Sequence, residues 1–432
     1  MDVTEAENQE FRETVVLSRK LKYYGYKFTQ IRHDIFEKGR TMKFDYSART
    51  AKLQKYMRDE DLDAFIISTQ DSIYYLSGAA YVPIERPFFI IVRPEGPSSL
   101  VVPQLELEHM RLVAGFGEIV SYFEYPSVQG ENWFDRLNAM LGESTRVGIE
   151  PELTVAKAAL LKVGKIVPSD IITRLRMIKT QDEIAAIREA AKVTDDGMRR
   201  LHRGLYKGES VIETVMPAKK LQTGVIAAGD FDYLNCSFLT AGWPAPKSAQ
   251  PHSVPDFHTE MGKGPIVLMS YNRVNGYAAE CERTVFLGEP TKEERKIYDT
   301  VMGVRALAYD MIRPGVRCSD IDIATQEFFA SRGFGDRIIH RTGHGIGLGN
   351  HEMPWLSAGS GDVLEENMVI SIEPALYFPN IGGFRHSDTV LVTKDGFENL
   401  TKYPDDLESL IVRGKRPFLK LKGRIIRRAI NY

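Results

Sequence analysis

Two imidazoles lie seven residues apart in a glycine-rich run, Gly343-His344-Gly345-Ile346-Gly347-Leu348-Gly349-Asn350-His351. Glycine lets backbones approach closely, so such a run can press an imidazole into a crowded site. An imidazole can take and return a proton near neutral pH. Downstream, the apolar run Met368–Ile372 ends on Glu373-Pro374, which sets a carboxylate at the end of a strand. The segment Gly382-Gly383-Phe384-Arg385-His386-Ser387-Asp388 then adds a guanidinium, an imidazole and an acid. Imidazoles, a carboxylate and an Arg/His/Asp cluster on short strands and loops read as the wall of an active site. Further up the chain Glu280 and Glu282 flank Cys281. Their charges disfavour a thiolate, so Cys281 is not read as a nucleophile.

These residues need elements to hold them. Ala48–Met57 has helical character, and Asp63–Ser68, Pro87–Val92, Leu100–Pro103 and Val147–Glu150 read as strands. Their alternation predicts a small α/β domain ending near Ile171. Leu175–Thr180 reads as a charged hinge, and a long amphipathic helix follows it, with Ile184, Ile187, Ala191 and Val193 on one side. Ile266–Tyr271 and Thr284–Leu287 read as strands. Thr291-Lys292-Glu293-Glu294 is a capping box that opens a helix to about Ile312, which Pro314-Gly315 ends. The expected boundaries are an N-terminal arm over 1–45, a first domain over 46–172, a second over 173–403 and a tail over 404–432. From Arg413 to Arg428 that tail carries Lys415, Arg416, Lys420, Lys422, Arg424 and Arg427 and no acid. It reads as a solvated basic tail or subunit contact, or else as a contact for an anionic surface or nucleic acid.

A net charge of −2 over 432 residues gives no global field for nucleic acid or membrane. Cys236, Cys281 and Cys318 are too scattered for a metal motif or a disulfide framework and suit a reducing cytosol. No apolar run is long enough to span a bilayer, and the acidic N-terminal stretch does not read as a signal peptide, so none is expected. The expectation is a cytoplasmic protein with a small-molecule substrate and neither nucleic acid nor membrane as partner.

Gly343–Gly347, His351-Glu352-Met353-Pro354, Ile372-Glu373-Pro374 and Asp388–Thr393 together resemble the pita-bread fold family. That family, of peptidase M24 type, includes methionine aminopeptidase, aminopeptidase P, prolidase and creatinase. The resemblance runs from about Tyr46 to Tyr403. It implies an α/β (α+β) chain: a creatinase-like N-terminal α/β domain, then a pita-bread domain with a curved antiparallel sheet. The family's metallopeptidases hold two divalent ions with two Asp, one His and two Glu. The resemblance puts that His on His344, one Glu on Glu373 and the other on Ser387, one Asp near Ser270 and the other on Glu280.

Two acids are thus replaced by serine. Four positive charges in a partly dry site need carboxylates to offset them, so the expectation is no dinuclear centre and no required cofactor. A single divalent metal on Glu280, His344 and Glu373 is the set left open. The depletion resembles creatinase. Its glutamates fall on Glu282 and Glu373, its catalytic His on His252 (His258 is a second candidate), and an Arg that crosses to the neighbouring subunit on Arg86, which implies a homodimer. Where creatinase has another Arg, this chain has Trp355, so the pocket is expected to suit a different molecule.

The main expectation is therefore a metal-independent, creatinase-like hydrolase of a C–N bond in a small cationic or zwitterionic guanidino or amidine acid. His252 would serve as base and acid, with His344, His351, Glu373 and Glu282 also catalytic. Arg86, Glu280, Trp355, Arg385 and Tyr377 would bind substrate, although Arg385 also reads as a buried partner of Glu373 or Asp388. The alternative is an Xaa-Pro aminopeptidase or prolidase of M24 type with a single or rearranged metal. A third reading is a small-molecule lyase or a non-catalytic binding protein on the same fold.

Overall fold

The computed structural model describes residues 44–429 apart from 83, 114, 230 and 254–257. The expected N-terminal arm therefore lies almost wholly outside the described residues. Helix α1 (Tyr46–Asp59) starts where the Asp45 side chain accepts the Ala48 N–H. Strand β1 (Ala64–Ile67) is buried along its whole length, as its unbroken apolar run requires. It lies inside a six-stranded sheet with β2 (Phe89–Val92), β3 (Ser98–Pro103), β4 (Phe116–Tyr122), β5 (Arg146–Ile149) and β6 (Lys165–Pro168), in the order β4-β3-β2-β1-β5-β6. The two outermost strands, β4 and β6, are half exposed and mixed in polarity. That mixture hides them from a reading by hydrophobic runs.

The charged hinge is the end of helix α2 (Ile171–Met177) and the turn after it. Its charges point inward: Arg176 Nη2 and Lys179 Nζ donate to Glu352 Oε2 and Oε1 at 2.5 and 2.9 Å. The residue after His351 is thus anchored to the domain junction. Helix α3 (Gln181–Gly204) opens on the reciprocal capping box of Thr180 and Glu183. From the first domain, Arg49 donates to Tyr277 Oη at 3.1 Å and pairs with Glu183 at 3.4 Å.

The second domain is built on a nine-stranded sheet. Its main path is β11 (Glu352–Leu356), β10 (Gly343–Gly345), β12 (Val369–Ile372), β15 (Ser387–Thr393), β9 (Tyr277–Leu287), β8 (Pro265–Val274) and β7 (Ser237–Trp243), with β16 (Gly396–Asn399) beside β15 and β17 (Ile411–Val412) beside β9. Helix α4 (Val211–Ala227) follows α3, and α5 (Lys292–Met311) opens on the Thr291/Glu294 capping box expected from the sequence. A separate hairpin joins β13 (Ala375–Phe378) to β14 (Gly382–Arg385). Within the sheet the pairings β8–β9, β9–β15, β15–β12, β12–β10 and β10–β11 are all antiparallel, which gives the expected curved antiparallel sheet.

Helix α3 covers one face of this sheet. Thr194 Oγ1 donates to the Ala279 carbonyl at 3.1 Å, and Asn272 Nδ2 donates to Thr194 Oγ1 at 3.1 Å and to Ser270 Oγ at 3.0 Å. Gly197 lets helix and strand meet: a Cβ there would overlap Ser270 Oγ and lie 3.0 Å from Leu221 Cδ1. The opposite face carries the candidate site.

Candidate active site

Strand alternation decides which side chains of the β8–β9 hairpin reach the site. Met269 is opposite Glu282, Ser270 opposite Cys281 and Tyr271 opposite Glu280. Glu280 and Glu282 therefore share a face with Met269 and Tyr271, while Ser270 points the other way, to α3. This corrects the sequence placement of a lost acid near Ser270. The site-facing residues at that level are Met269 and Tyr271, and neither is a carboxylate. Ser387, the other serine at an expected ligand position, is buried in the site and donates to Glu280 Oε1 at 2.7 Å. Ser371, directly opposite His344, donates to the same oxygen at 2.5 Å.

His344 is wholly buried on β10. Its Nε2 lies 3.3 Å from Glu373 Oε1 and 3.7 Å from Glu280 Oε1, yet makes no well-directed hydrogen bond to a described residue. The His351 ring lies against it, centroids 3.9 Å apart, and His351 as a residue is exposed. Donor atoms of Glu280, His344 and His351 all fall within 4.8 Å of one another.

The charges in this space are set by one another. Burial disfavours the His344 cation, but Glu280 and Glu373 outweigh it and lift the group to about 9. Burial and the His344 charge push His351 down to about 4, so that ring is neutral. Burial raises Glu280, as does the charge of Glu373. At Glu373 burial is overcome by His344, with His340 and Arg385 helping, and the carboxylate falls to about 2.

Arg385 differs from its expected role. Its Nη2 donates to Glu282 Oε1 at 2.6 Å, and its Nε pairs with Oε2. The expected partners, Glu373 and Asp388, are not the ones it grips. Asp388 is instead held by Arg283 at 2.9 Å and by Arg305. Glu282 is thus already neutralised by a protein cation, which removes the geometry for a glutamate pair gripping a cationic substrate. Burial still raises Glu282 to about 7.

Tyr377 joins the wall through its hydroxyl, 3.2 Å from Arg385 Nη1 and 2.8 Å from His340 Nε2. His340 is a site residue that sequence reasoning passed over. It stands at the head of the same glycine-rich run, which was its only signal. Trp355, opposite His344 on β11, carries the Arg341 guanidinium 4.4 Å above its ring. His252 is exposed, on a loop whose Pro251 carbonyl accepts from Arg385 Nη1 at 3.4 Å. It therefore borders the site rather than forming its centre. Arg86 is not brought to the site of its own chain. It pairs with Glu124 at 2.9 Å and Glu85 at 3.0 Å on the first domain.

One divalent ion fits these residues in place of the His344 proton: donor atoms of Glu280, His344 and His351 lie within 4.8 Å of one another, and Glu373 stands beside them. Two ions do not fit, since Met269, Tyr271 and Ser387 stand where further acids would be needed.

Curved sheet, covering helix and His/Glu pocket together define a pita-bread hydrolase. Residues 185–394 match the Metallopeptidase family M24, and residues 49–178 match the Creatinase/Prolidase N-terminal domain. An uncharacterized peptidase of Staphylococcus aureus (strain bovine RF122 / ET3-1) is 32% identical over 369 residues, covering 82% of this chain and 99% of the relative. Among solved structures, the prolidase from Thermococcus sibiricus superposes with a TM-score of 0.75 at 26% identity, over 85% of this chain and 99% of its own. The prolidase from Pyrococcus furiosus gives 0.68 at 29% identity, over 81% of this chain and 99% of its own. The chain belongs to the M24 metallopeptidase family, and with it to the hydrolases of C–N bonds.

Proposed function

We propose that this chain cleaves the C–N bond of a small peptide of the Xaa-Pro type, with one divalent ion held by Glu280, His344 and His351 and with Glu373 alongside. The reading rests on one observation above all: donor atoms of Glu280, His344 and His351 converge within 4.8 Å of one another, with Glu373 Oε1 3.3 Å from His344 Nε2. It is supported by the kinship with prolidases and by the grip of Arg385 on Glu282, which counts against the creatinase-like reading of a glutamate pair. A divalent ion held by Glu280, His344 and His351 would supply Lewis-acid chemistry here. The chain's own residues do the rest. Burial and the His344 charge keep His351 neutral, which leaves a ring nitrogen free to join the donor set. His340 and Arg385 fix the Tyr377 hydroxyl at the pocket wall. Trp355 and Arg341 form a flat wall against which an apolar ring can pack.

The test is metal content and turnover measured together. Chelator-stripped protein is reloaded with Mn²⁺, Co²⁺ or Zn²⁺, and hydrolysis of Xaa-Pro dipeptides is compared with that of guanidino acids. About one ion per chain, with peptide hydrolysis that disappears in chelator, is expected. A metal-free hydrolase of a cationic C–N substrate is the second reading. The serine hydroxyls that already satisfy Glu280 favour it. Chelator-resistant turnover of a guanidino or amidine acid would select it instead.

A further inference from the structure

The basic tail ends in a helix, α6 (Pro417–Ala429), which lies outside both family matches. Its inner side is anchored. Gly423 is buried, and a Cβ there would overlap Tyr206 Oη, so the helix seats closely on that ring. Arg416, just before it, donates from Nη1 to the carbonyls of Arg203 and Leu205 at 3.0 Å and of His202 at 3.3 Å, closing the end of α3. Arg427 donates to the Gly208 carbonyl at 3.2 Å and lies 3.6 Å from Glu213. The helix is held to the domain as a fixed element.

Its outer side is unlike ordinary protein surface. Phe418, Leu421 and Ile425, at i, i+3 and i+7, form a stripe exposed by 86%, 56% and 60%. Helical spacing sets Lys422 along one margin of the stripe and Arg424 and Arg428 along the other, with Lys420 beyond them. The helix carries no acid, and Lys420, Arg424 and Arg428 have no acidic partner among the described residues. An aqueous surface gains nothing from three exposed large apolar side chains in line. A purely electrostatic partner such as duplex nucleic acid would use the cations but leave the stripe wet. A bilayer with anionic headgroups satisfies both, apolar side chains entering the headgroup boundary and cations meeting the surface charge. No described helix is long and apolar enough to cross a membrane, so such a helix would lie in the interface.

We infer that α6 is a membrane-surface anchor that docks this enzyme on anionic lipid through Phe418, Leu421 and Ile425, with Lys420, Lys422, Arg424 and Arg428 on the headgroups. This revises the expectation of no membrane partner and does not depend on the metal reading of the active site.

The test is co-sedimentation of the full chain with sucrose-loaded vesicles, of phosphatidylcholine alone or with about 30% phosphatidylglycerol. The full chain should pellet with the anionic vesicles at least about tenfold better than with neutral ones, and high salt should release most of it. F418S/L421S/I425S and K420E/R424E/R428E both leave the seated side of the helix intact. Each should lose the binding while keeping the far-ultraviolet circular dichroism of the parent. Failure of the full chain to pellet overturns the inference. So does pelleting by the serine variant equal to the parent's, because charge alone would then explain it. A parent dimer that the serine variant turns into a monomer also overturns it, because a second copy would then cover the stripe.

Discussion

Arg385 holds Glu282 by two contacts, Nη2 to Oε1 at 2.6 Å and Nε against Oε2, with both side chains almost wholly buried. Such a pair adds little net stability, yet losing one partner strands a charge out of water. Arg385→Ala should therefore cost about 3–5 kcal/mol in urea unfolding. Glu282→Gln should cost less, since burial already holds this acid at about 7 and its neutral form is close at hand. If the two act as a pair, the double variant should cost clearly less than the sum of the singles. Additive losses would show that the contact is incidental.

Metal content gives a second prediction. His344→Ala removes the buried nitrogen that faces both carboxylates, and it should reduce bound Mn²⁺ or Zn²⁺ by about 100-fold or more in isothermal titration. Ser387→Ala removes one hydroxyl from Glu280 and leaves the donor atoms in place, so binding should persist within about tenfold. A stoichiometry of two in the parent would contradict the reading of Met269, Tyr271 and Ser387 as positions with no acid to offer.

Much of this site was legible in the sequence because its signals are local. The glycines around His344, the strand that ends on Glu373 and the capping box of α5 each occupy a few consecutive residues. What failed needed either register or distant contact. Along β8 the usual polarity is inverted: Ser270 and Asn272 are polar on the face packed against α3, while Met269 and Tyr271 are apolar on the face toward the site. Alternation of hydrophobicity therefore points the wrong way by one residue. Arg385 and Glu282 meet across 103 residues of chain, and His340 meets Tyr377 through a hairpin outside the main sheet. No local pattern encodes either contact.

The corrected register can be tested at Ser270. Gly197→Ala would force a methyl into Ser270 Oγ and against Leu221, and should cost about 1–3 kcal/mol from overpacking. Ser270→Asp should bury an acid against α3 and destabilise the fold without raising metal content. An extra bound ion in that variant would show that residue 270 faces the site after all.

Acid should weaken the fold in part through His202. Burial, with the nearby Arg416 charge, lowers this imidazole from 6.5 to about 4. Its Nδ1 lies 2.7 Å from Tyr403 Oη, and Arg416 already occupies the carbonyls at the end of α3 that would otherwise welcome a cation. Between pH 6.5 and 4 the unfolded chain binds a proton at this site and the folded chain does not, so stability must rise with pH across that window. The contribution is full above 6.5 and is lost as the pH falls to 4, and a shift of this size is worth about 3 kcal/mol. His202→Asn keeps a polar atom near the Nδ1 position but cannot protonate. It should therefore flatten the dependence of urea-unfolding free energy on pH between 6.5 and 4 by about that amount, relative to the parent. Parallel curves for the two proteins would mean that His202 protonates equally in the folded and unfolded chain.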